Sequence, residues 1–156
     1  MNSNVNFTPD GYHTITPYLI CRNAAAAMDF YKRVFDTTEL VRMTGPGGRI
    51  AHAEIKVGDS CVMLADENLE MGAQSPQAIG GSPVHILVYV KDVDTAVNQA
   101  VKAGSKLDKP VADQFYGDRS GSVTDPFGHK WTIATHIEDV SPEEMEKRAA
   151  KLFGGS

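Results

Sequence analysis

The sequence has little cysteine and contains no long apolar run. Only two of its 156 residues are cysteines. On the strand interpretation given below, Cys21 and Cys61 point to opposite faces of a sheet, which argues against a disulfide between them. No stretch approaches the roughly 18 apolar residues of a membrane-spanning helix, and Met1 to Thr8 has no charged-then-apolar signal pattern. These absences predict a soluble cytoplasmic protein with reduced thiols and no membrane partner.

The sequence also lacks a basic run. It has 20 acidic residues against 15 Lys and Arg, a formal net charge of −5, and its charges are scattered. Without a basic stripe, nucleic acid and anionic membranes are not expected as partners. A chain of this length buries one full-size core, so we predict a single domain over residues 1–156.

The first half of the chain has the pattern of a strand, a helix and three further strands. Alternation from about Tyr12 to Cys21 predicts a strand with Ile15, Leu19 and Cys21 on its apolar side. Asn23 can cap a helix whose apolar residues recur at helical spacing, namely Ala27, Phe30, Tyr31 and Val34. The three strands are predicted at about Glu39 to Met43, Ile50 to Val57 and Cys61 to Asp66.

The second half repeats this order. A strand is predicted at Val84 to Val90, and Asp92 can cap the next helix, whose apolar face comprises Val93, Ala96, Val97, Ala100 and Val101. A weak strand around Pro110 to Ala112 and another at Gly121 to Asp125 follow. The last hairpin turns at Pro126 and Gly128. Its final strand has Trp131 and Ile133 on the apolar face, and Lys130, Thr132, Ala134 and His136 on the mixed face.

The two halves can be laid on each other without a gap inside each matched stretch. One alignment sets Thr16 on His85 and Asn23 on Asp92, and another sets Met63 on Thr132. Self-similarity of this kind predicts two copies of one structural unit.

Four motifs carry a resemblance to a known family: PYLICRNAAAAMDFY, VGDSCVMLADE, DPFGHKW and ATHIEDVSPEEM. They resemble the glyoxalase/bleomycin-resistance/dioxygenase (vicinal oxygen chelate) superfamily, and the chain is most similar to its PhnB-like branch. The resemblance implies an α+β fold in which two βαβββ modules form a curved mixed sheet around a cleft, with helices outside and an extra C-terminal helix. It also implies a homodimer. The predicted parts are module one at about 12–67, a linker at 68–82, module two at about 83–137 and the C-terminal helix at about 141–153.

The resemblance also implies four positions for metal ligands. In this sequence they are Thr16, Met63, His85 and Thr132, and among them only His85 is a competent ligand. A catalytic metal needs about three good donors from the protein, so we predict no metal and no cofactor. The alternative is a glyoxalase- or dioxygenase-type metal-dependent enzyme whose site has moved to residues such as His52, Glu54 and His136.

Loss of metal donors makes such a cleft less polar, which favours a small, partly aromatic or hydrophobic ligand. We therefore predict a binding protein of the sequestration or resistance type. The predicted lining is Thr16, Tyr18, Met63, His85, Phe115, Tyr116 and Thr132. Gly117 is predicted to leave the connection that carries Phe115 and Tyr116 free to move over the cleft. No spacing brings two carboxylates together, so the sequence identifies neither catalytic residues, nor the ligand, nor whether a reaction occurs.

The C-terminal segment has a clear helix start. Ser141 can act as N-cap, Pro142 occupies the first helical position, and Glu144 completes a capping box, so a helix is predicted from about Pro142 to Leu152. Its narrow apolar stripe consists of Met145, Ala149, Leu152 and Phe153. We expect this stripe to close one end of the cleft or to contact a second subunit.

Overall fold

The computed structural model describes residues 4–154, so Met1 to Ser3 of the predicted N-terminal arm lie outside the described residues. Along the chain the elements are β1 Tyr18–Cys21, α1 Ala24–Phe35, β2 Thr38–Thr44, β3 Ile50–Val57, β4 Ser60–Asp66, α2 Pro76–Ile79, β5 His85–Tyr89, α3 Val93–Lys102, β6 Lys106–Asp113, β7 Asp118–Thr124, β8 Lys130–His136 and α4 Pro142–Phe153. Two short 3₁₀ turns lie at Pro46–Gly48 and Leu69–Met71. Within residues 4–154 no helix is long and apolar enough to cross a membrane.

Module one is a four-stranded mixed sheet covered on one face by α1. Its strand order is β1-β4-β3-β2, with β1 parallel to β4 and the other pairs antiparallel. The Asn23 side chain accepts from the backbone N–H of Ala26 and so caps α1 as predicted. Side chains buried between helix and sheet include Phe30, Tyr31, Ile55 and Leu64. This burial leaves the other face of the sheet for a different use.

Module two has the same plan. Its strand order is β5-β8-β7-β6, again with one parallel pair, β5 with β8. The predicted core residues Trp131 and Ile133 are only 2% and 0% exposed. Asp92 caps α3 by accepting from the backbone N–H of Thr95. The α+β class with two βαβββ modules and a C-terminal helix is therefore confirmed.

Equivalent residues of the two modules make equivalent contacts. The alignment that sets Thr16 on His85 also sets Tyr18 on Leu87, and the other alignment sets Met63 on Thr132. The structure pairs Tyr18 with Met63 and Leu87 with Thr132. The first helical N–H is bound in the same way in both modules. The N–H of Ala24 donates to Asp66 Oδ1 at 2.7 Å, and in module two the N–H of Val93 donates to Thr135 Oγ1 at 3.0 Å. The repeat deduced from the sequence is thus a repeat of structure.

Several predicted boundaries differ from the structure. The first strand begins at Tyr18 rather than Tyr12, and Ile15, expected on its apolar side, is 84% exposed. Pro17 has no N–H to donate to the ladder, although its carbonyl accepts from Met63. Strand β6 is longer than its predicted core around Pro110, because it lies at a sheet edge where a missing donor is tolerated.

The connection over residues 68–82 is also more ordered than a plain linker. Asn68 caps the turn Leu69–Met71, and Ser75 caps the helix Pro76–Ile79. The side chain of Ser75 itself donates to Glu67 Oε2. The single domain of residues 1–156 and its cleft stay predictions.

Candidate functional site

The exposed face of the module-one sheet brings three chemically active side chains onto neighbouring strands. Strand β4 pairs Met63 with Tyr18 on one side and with Glu54 on the other. Residues paired in this way project to the same face, which here is opposite to the face covered by α1. His52 lies two residues before Glu54 on β3 and therefore shares the face. We call this surface, comprising Tyr18, His52, Glu54 and Met63, the module-one face.

A line of hydrogen bonds joins three of these residues. The hydroxyl of Tyr18 lies 2.9 Å from Nδ1 of His52, and Nε2 of His52 lies 2.9 Å from Oε1 of Glu54. The side chains of His52 and Glu54 are 25% and 12% exposed, so the pair is largely shielded from water. The rings of Tyr18 and His52 also touch, with centroids 5.5 Å apart and planes tilted by 51°. Both imidazole nitrogens are therefore engaged within the face.

A pocket of about 710 Å³ lies beside Tyr18. The residues around it are mostly apolar, and they comprise Tyr18, Ile20, Gly45, Pro46, Arg49, Ile50, Ala51, Ala65, Asp66, Asn68, Met71 and Ala73. A second, smaller pocket of about 510 Å³ shares Arg49, Asp66 and Asn68 with the first and is otherwise mainly polar. The first pocket has the volume of a small-molecule site and a predominantly apolar wall.

Thr16 and Met63 are the other predicted lining residues of this module; Thr16 lies just before β1, and Met63 lies within β4. Thr16 precedes β1, is half-buried, and its hydroxyl lies 3.5 Å from the carbonyl of His13. Met63 is half-buried at the centre of the face. The structure thus brings Tyr18 and Met63 together, and Thr16 lies two residues before Tyr18.

The corresponding face of module two carries the predicted residues His85 and Thr132. His85 pairs with Lys130 and is exposed, whereas Thr132 is half-buried and its hydroxyl lies 3.4 Å from that of Ser122. Leu87, which pairs with Thr132, is 48% exposed. His85 and Thr132 therefore share this face with an apolar neighbour between them.

A second polar cluster on the module-two face was not foreseen as a unit. Asp118 is buried, and its carboxylate accepts from the hydroxyl of Tyr89 at 2.8 Å and from Nδ1 of His136 at 2.7 Å. Nε2 of His136 lies 2.9 Å from Oδ1 of Asp139. Hydrogen bonding to Asp118, and then to Asp139, raises the pKa of His136 above its ordinary value, and hydrogen bonding to Asp118 raises the pKa of Tyr89. These residues are far apart in sequence, and only the β7–β8 register brings Asp118 opposite His136.

Phe115 and Tyr116 lie on the connection between β6 and β7. Their rings contact each other edge to face at 5.3 Å, and Phe115 meets the ring of Phe153 on α4 at 5.9 Å. Arg148 on α4 donates to the carbonyl of Phe115 at 3.2 Å. These aromatic residues are thus attached to the C-terminal helix.

Gly117 was predicted to leave this connection free to move, whereas the structure packs it closely against a second backbone segment. A Cβ on Gly117 would lie 2.1 Å from the carbonyl oxygen of Glu138, and the carbonyl of Gly117 accepts from the N–H groups of Ile137 and Glu138. Gly117 therefore permits close packing of two backbone segments, with φ at +101°.

The apolar stripe predicted on α4 is covered only in part. Met145 and Ala149 are half-buried, whereas Leu152 and Phe153 are 62% and 78% exposed. Polar contacts attach the helix instead, because Arg148 makes two hydrogen bonds with the carboxylate of Glu138, at 2.9 and 2.7 Å.

The residues at the expected metal positions do not fit a divalent metal. In module one they supply a hydroxyl and a thioether, and in module two an imidazole and a hydroxyl, which is a poor donor set. The nearby imidazole of His52 has both nitrogens engaged by Tyr18 and Glu54. Among residues 4–154, no group of three or more His, Cys, Asp or Glu side chains could hold a metal ion.

Comparison with known proteins identifies the family. The pattern of the Glyoxalase/Bleomycin resistance protein/Dioxygenase superfamily matches residues 11–133. The uncharacterized protein Rv0887c of Mycobacterium tuberculosis H37Rv is 39% identical over 135 residues, which cover 85% of this chain and 79% of that protein.

Solved structures agree with this assignment. TioX from Micromonospora sp. ML1 is 27% identical with a TM-score of 0.62, covering 80% of this chain and 99% of that chain. The product of At5g48480 from Arabidopsis thaliana is 27% identical with a TM-score of 0.63, covering 79% and 98% of the two chains. The chain belongs to the Glyoxalase/Bleomycin resistance protein/Dioxygenase superfamily.

Proposed function

We propose that this protein binds a small, partly aromatic or hydrophobic molecule on the module-one face, without a metal ion, in a sequestration or resistance role. The observation that carries the proposal is the hydrogen-bonded line Tyr18–His52–Glu54, which occupies both nitrogens of the imidazole on the module-one face. A histidine bonded on both sides has no lone pair free for a metal. The face then offers an aromatic ring and a thioether to a ligand.

The adjoining pocket supports a ligand of this kind. Its volume of about 710 Å³ falls within the range of small-molecule sites. Ile20, Ile50 and Ala65 line the pocket with apolar side chains, and the half-exposed Tyr18 lines it as well. An apolar molecule entering this pocket loses little solvation and gains contact area.

The proposed module-two residues, the oligomeric state and the branch of the family rest on the resemblance of the sequence to the superfamily. His85, Phe115, Tyr116 and Thr132 stay proposed as ligand-binding residues of module two. We also propose a cytoplasmic homodimer of the PhnB-like branch. The PhnB protein of Bacillus cereus, with 18% identity and a TM-score of 0.63, supports this branch at the level of the fold.

The test combines metal analysis with ligand screening. Protein purified without chelator is analysed for divalent metals, and a thermal-shift screen covers aromatic antibiotics, quinones and aliphatic 2-oxo compounds. We expect less than stoichiometric metal and stabilisation by aromatic compounds. Tyr18→Ala and Met63→Ala should each weaken binding of a hit roughly ten-fold, since truncation of a well-packed contact costs on the order of 1 to 3 kcal/mol. Tyr116→Ala tests the module-two contacts in the same titration.

The matched control is Val101→Ala, an exposed apolar side chain on α3 that is 42% accessible. It should leave ligand affinity unchanged. Stoichiometric metal that is lost in Glu54→Ala or in His136→Ala would overturn the proposal in favour of a metal-dependent enzyme of the glyoxalase or dioxygenase type with a relocated site. Binding of small charged metabolites alone, unaffected by Tyr18→Ala and Met63→Ala, would also overturn it.

A further inference from the structure

We infer that the ligand of the module-one face carries a hydrogen-bond donor, such as a phenolic O–H or a ring N–H, which the hydroxyl oxygen of Tyr18 accepts. This inference rests on the proposed function and names the chemical class that the face selects. It follows from the direction of the protons along the line Tyr18–His52–Glu54.

Glu54 sets the direction. Its side chain is 12% exposed, and its Oε1 lies 2.9 Å from Nε2 of His52. An ionised carboxylate can only accept hydrogen bonds, so the proton must lie on Nε2 of the imidazole. In the neutral ring this fixes the tautomer and leaves Nδ1 with a lone pair.

The hydroxyl of Tyr18 then has one role towards the protein. It lies 2.9 Å from Nδ1 of His52, and because this nitrogen accepts, the hydroxyl must donate. Its only proton is consumed by this bond. The oxygen keeps its acceptor capacity, and the hydrogen bond that it donates makes this oxygen a better acceptor.

The position of Tyr18 makes this acceptor relevant to a ligand. The residue lines the pocket of about 710 Å³, and 49% of its surface is exposed. Ile20 and Ala65 line the same pocket. A ligand with an O–H or N–H group beside Tyr18 can pair with the phenolic oxygen. A ligand that offers only acceptors places lone pairs against lone pairs and leaves both unsatisfied.

The experiment uses two probes that differ in one donor, 2-naphthol and 2-methoxynaphthalene, titrated by calorimetry at pH 8. We expect the wild-type protein to bind 2-naphthol roughly five- to ten-fold more tightly, the effect of one neutral hydrogen bond. In Tyr18→Phe the preference should disappear, because the ring is retained while the acceptor is lost. In Glu54→Gln the preference should shrink, because an amide can donate to Nε2 and so allow the opposite proton direction.

Met63→Leu serves as the matched control. It alters the apolar contact without changing the line, so it should change the affinity of both probes by the same factor. A second readout needs no ligand: the ¹⁵N chemical shifts of the His52 ring at pH 8 should show the proton on Nε2. A proton on Nδ1 would overturn the inference whatever binds.

The outcomes separate the two proposals. Equal affinity of the two probes in wild-type protein, unchanged in Tyr18→Phe, would overturn the inference and leave the proposed function standing. Failure of both probes and of every aromatic compound in the screen would overturn the proposed function and the inference with it.

Discussion

The two modules share a strand register and yet surround their histidines with different chemistry. In module one, His52 lies between a phenol and a carboxylate, which a neutral imidazole satisfies with one proton. In module two, His136 lies between the carboxylates of Asp118 and Asp139. Both carboxylates accept hydrogen bonds, so only the imidazolium, which carries a proton on each nitrogen, satisfies both. A repeated fold therefore does not repeat a site, because the side chains on its open face vary independently of the packed face.

The difference can be traced to single positions. Met63 faces Glu54 across the β3–β4 pair, whereas its counterpart Thr132 faces Ser122 across β7–β8. The central position that carries the carboxylate of Glu54 in module one therefore carries the hydroxyl of Ser122 in module two. The carboxylate of module two lies instead at the end of its strand, at Asp118. This exchange places a neutral hydrogen-bonding line in one module and a charged cluster in the other.

The largest expected contrast concerns the turns that join the last two strands of each module. Asp125 is buried and accepts from the N–H groups of Phe127 and His129 and from the indole of Trp131, each at 2.9 Å. Asp125→Ala would leave three donors without this acceptor. We expect the free energy of unfolding to fall by on the order of 4 kcal/mol, measured by urea denaturation.

The matched control is Asp59, which lies in the corresponding turn of module one with a side chain that is 89% exposed. Asp59→Ala should change the free energy of unfolding by less than about 0.5 kcal/mol. A similar loss in both variants would show that the two turns are equivalent after all.

The next contrast concerns the equivalent contacts that bind the first helical N–H of each module. Asp66 accepts from the N–H groups of Ala24 and Ile50, both at 2.7 Å, through a charged group. The hydroxyl of Thr135 is neutral; it accepts from the N–H of Val93 and donates to the carbonyl of Val90 at 2.8 Å, so both side chains make two hydrogen bonds. Because hydrogen bonds to charged groups are the stronger, Asp66→Ala should cost about 3 kcal/mol of unfolding free energy and Thr135→Val about 1 kcal/mol.

Both values can be measured by urea denaturation of the full chain. Asp66→Asn serves as the control, since the amide oxygen still accepts one bond, and its loss should be intermediate. A greater loss in Thr135→Val than in Asp66→Ala would contradict the assumed role of charge.

The smallest expected effect is a pH dependence of stability that arises at His136 in module two. Hydrogen bonds to Asp118 and Asp139 raise the pKa of His136 above the ordinary value of about 6.5. A pKa raised in the folded state gives stability that is fully present below the unfolded pKa and is lost as pH rises through the folded pKa. Stability should therefore decline from about pH 6.5 upwards in the wild-type protein, and this component should be absent in His136→Gln.

An NMR titration of the imidazole checks the same assignment directly. The pKa of His136 should fall in Asp118→Asn and fall less in Asp139→Asn, because Asp118 is the larger cause of its elevation. An unchanged pKa in Asp118→Asn would show that the carboxylate does not hold the imidazolium.

The sequence by itself determined the order of the strands and helices within the two modules, their helix caps and their core. Asn23, Asp92 and Ser141 cap the helices that they were predicted to cap. Trp131 and Ile133 are buried as their alternation indicated. These features could be predicted because each depends on a few neighbouring residues, through a cap, a turn or a strand period.

Only the tertiary structure decided which polar side chains meet. Tyr18 lies on β1 and His52 on β3, and these two strands pair with opposite edges of β4. No local pattern predicts the hydrogen bond between the two side chains. The same holds for Asp118 with Tyr89, which come from β7 and β5 across β8. Gly117 was expected to loosen a connection and instead allows it to pack against Glu138. A sequence specifies which residues share a face, but the distances that set proton positions and pKa values arise when strands distant in the chain are paired.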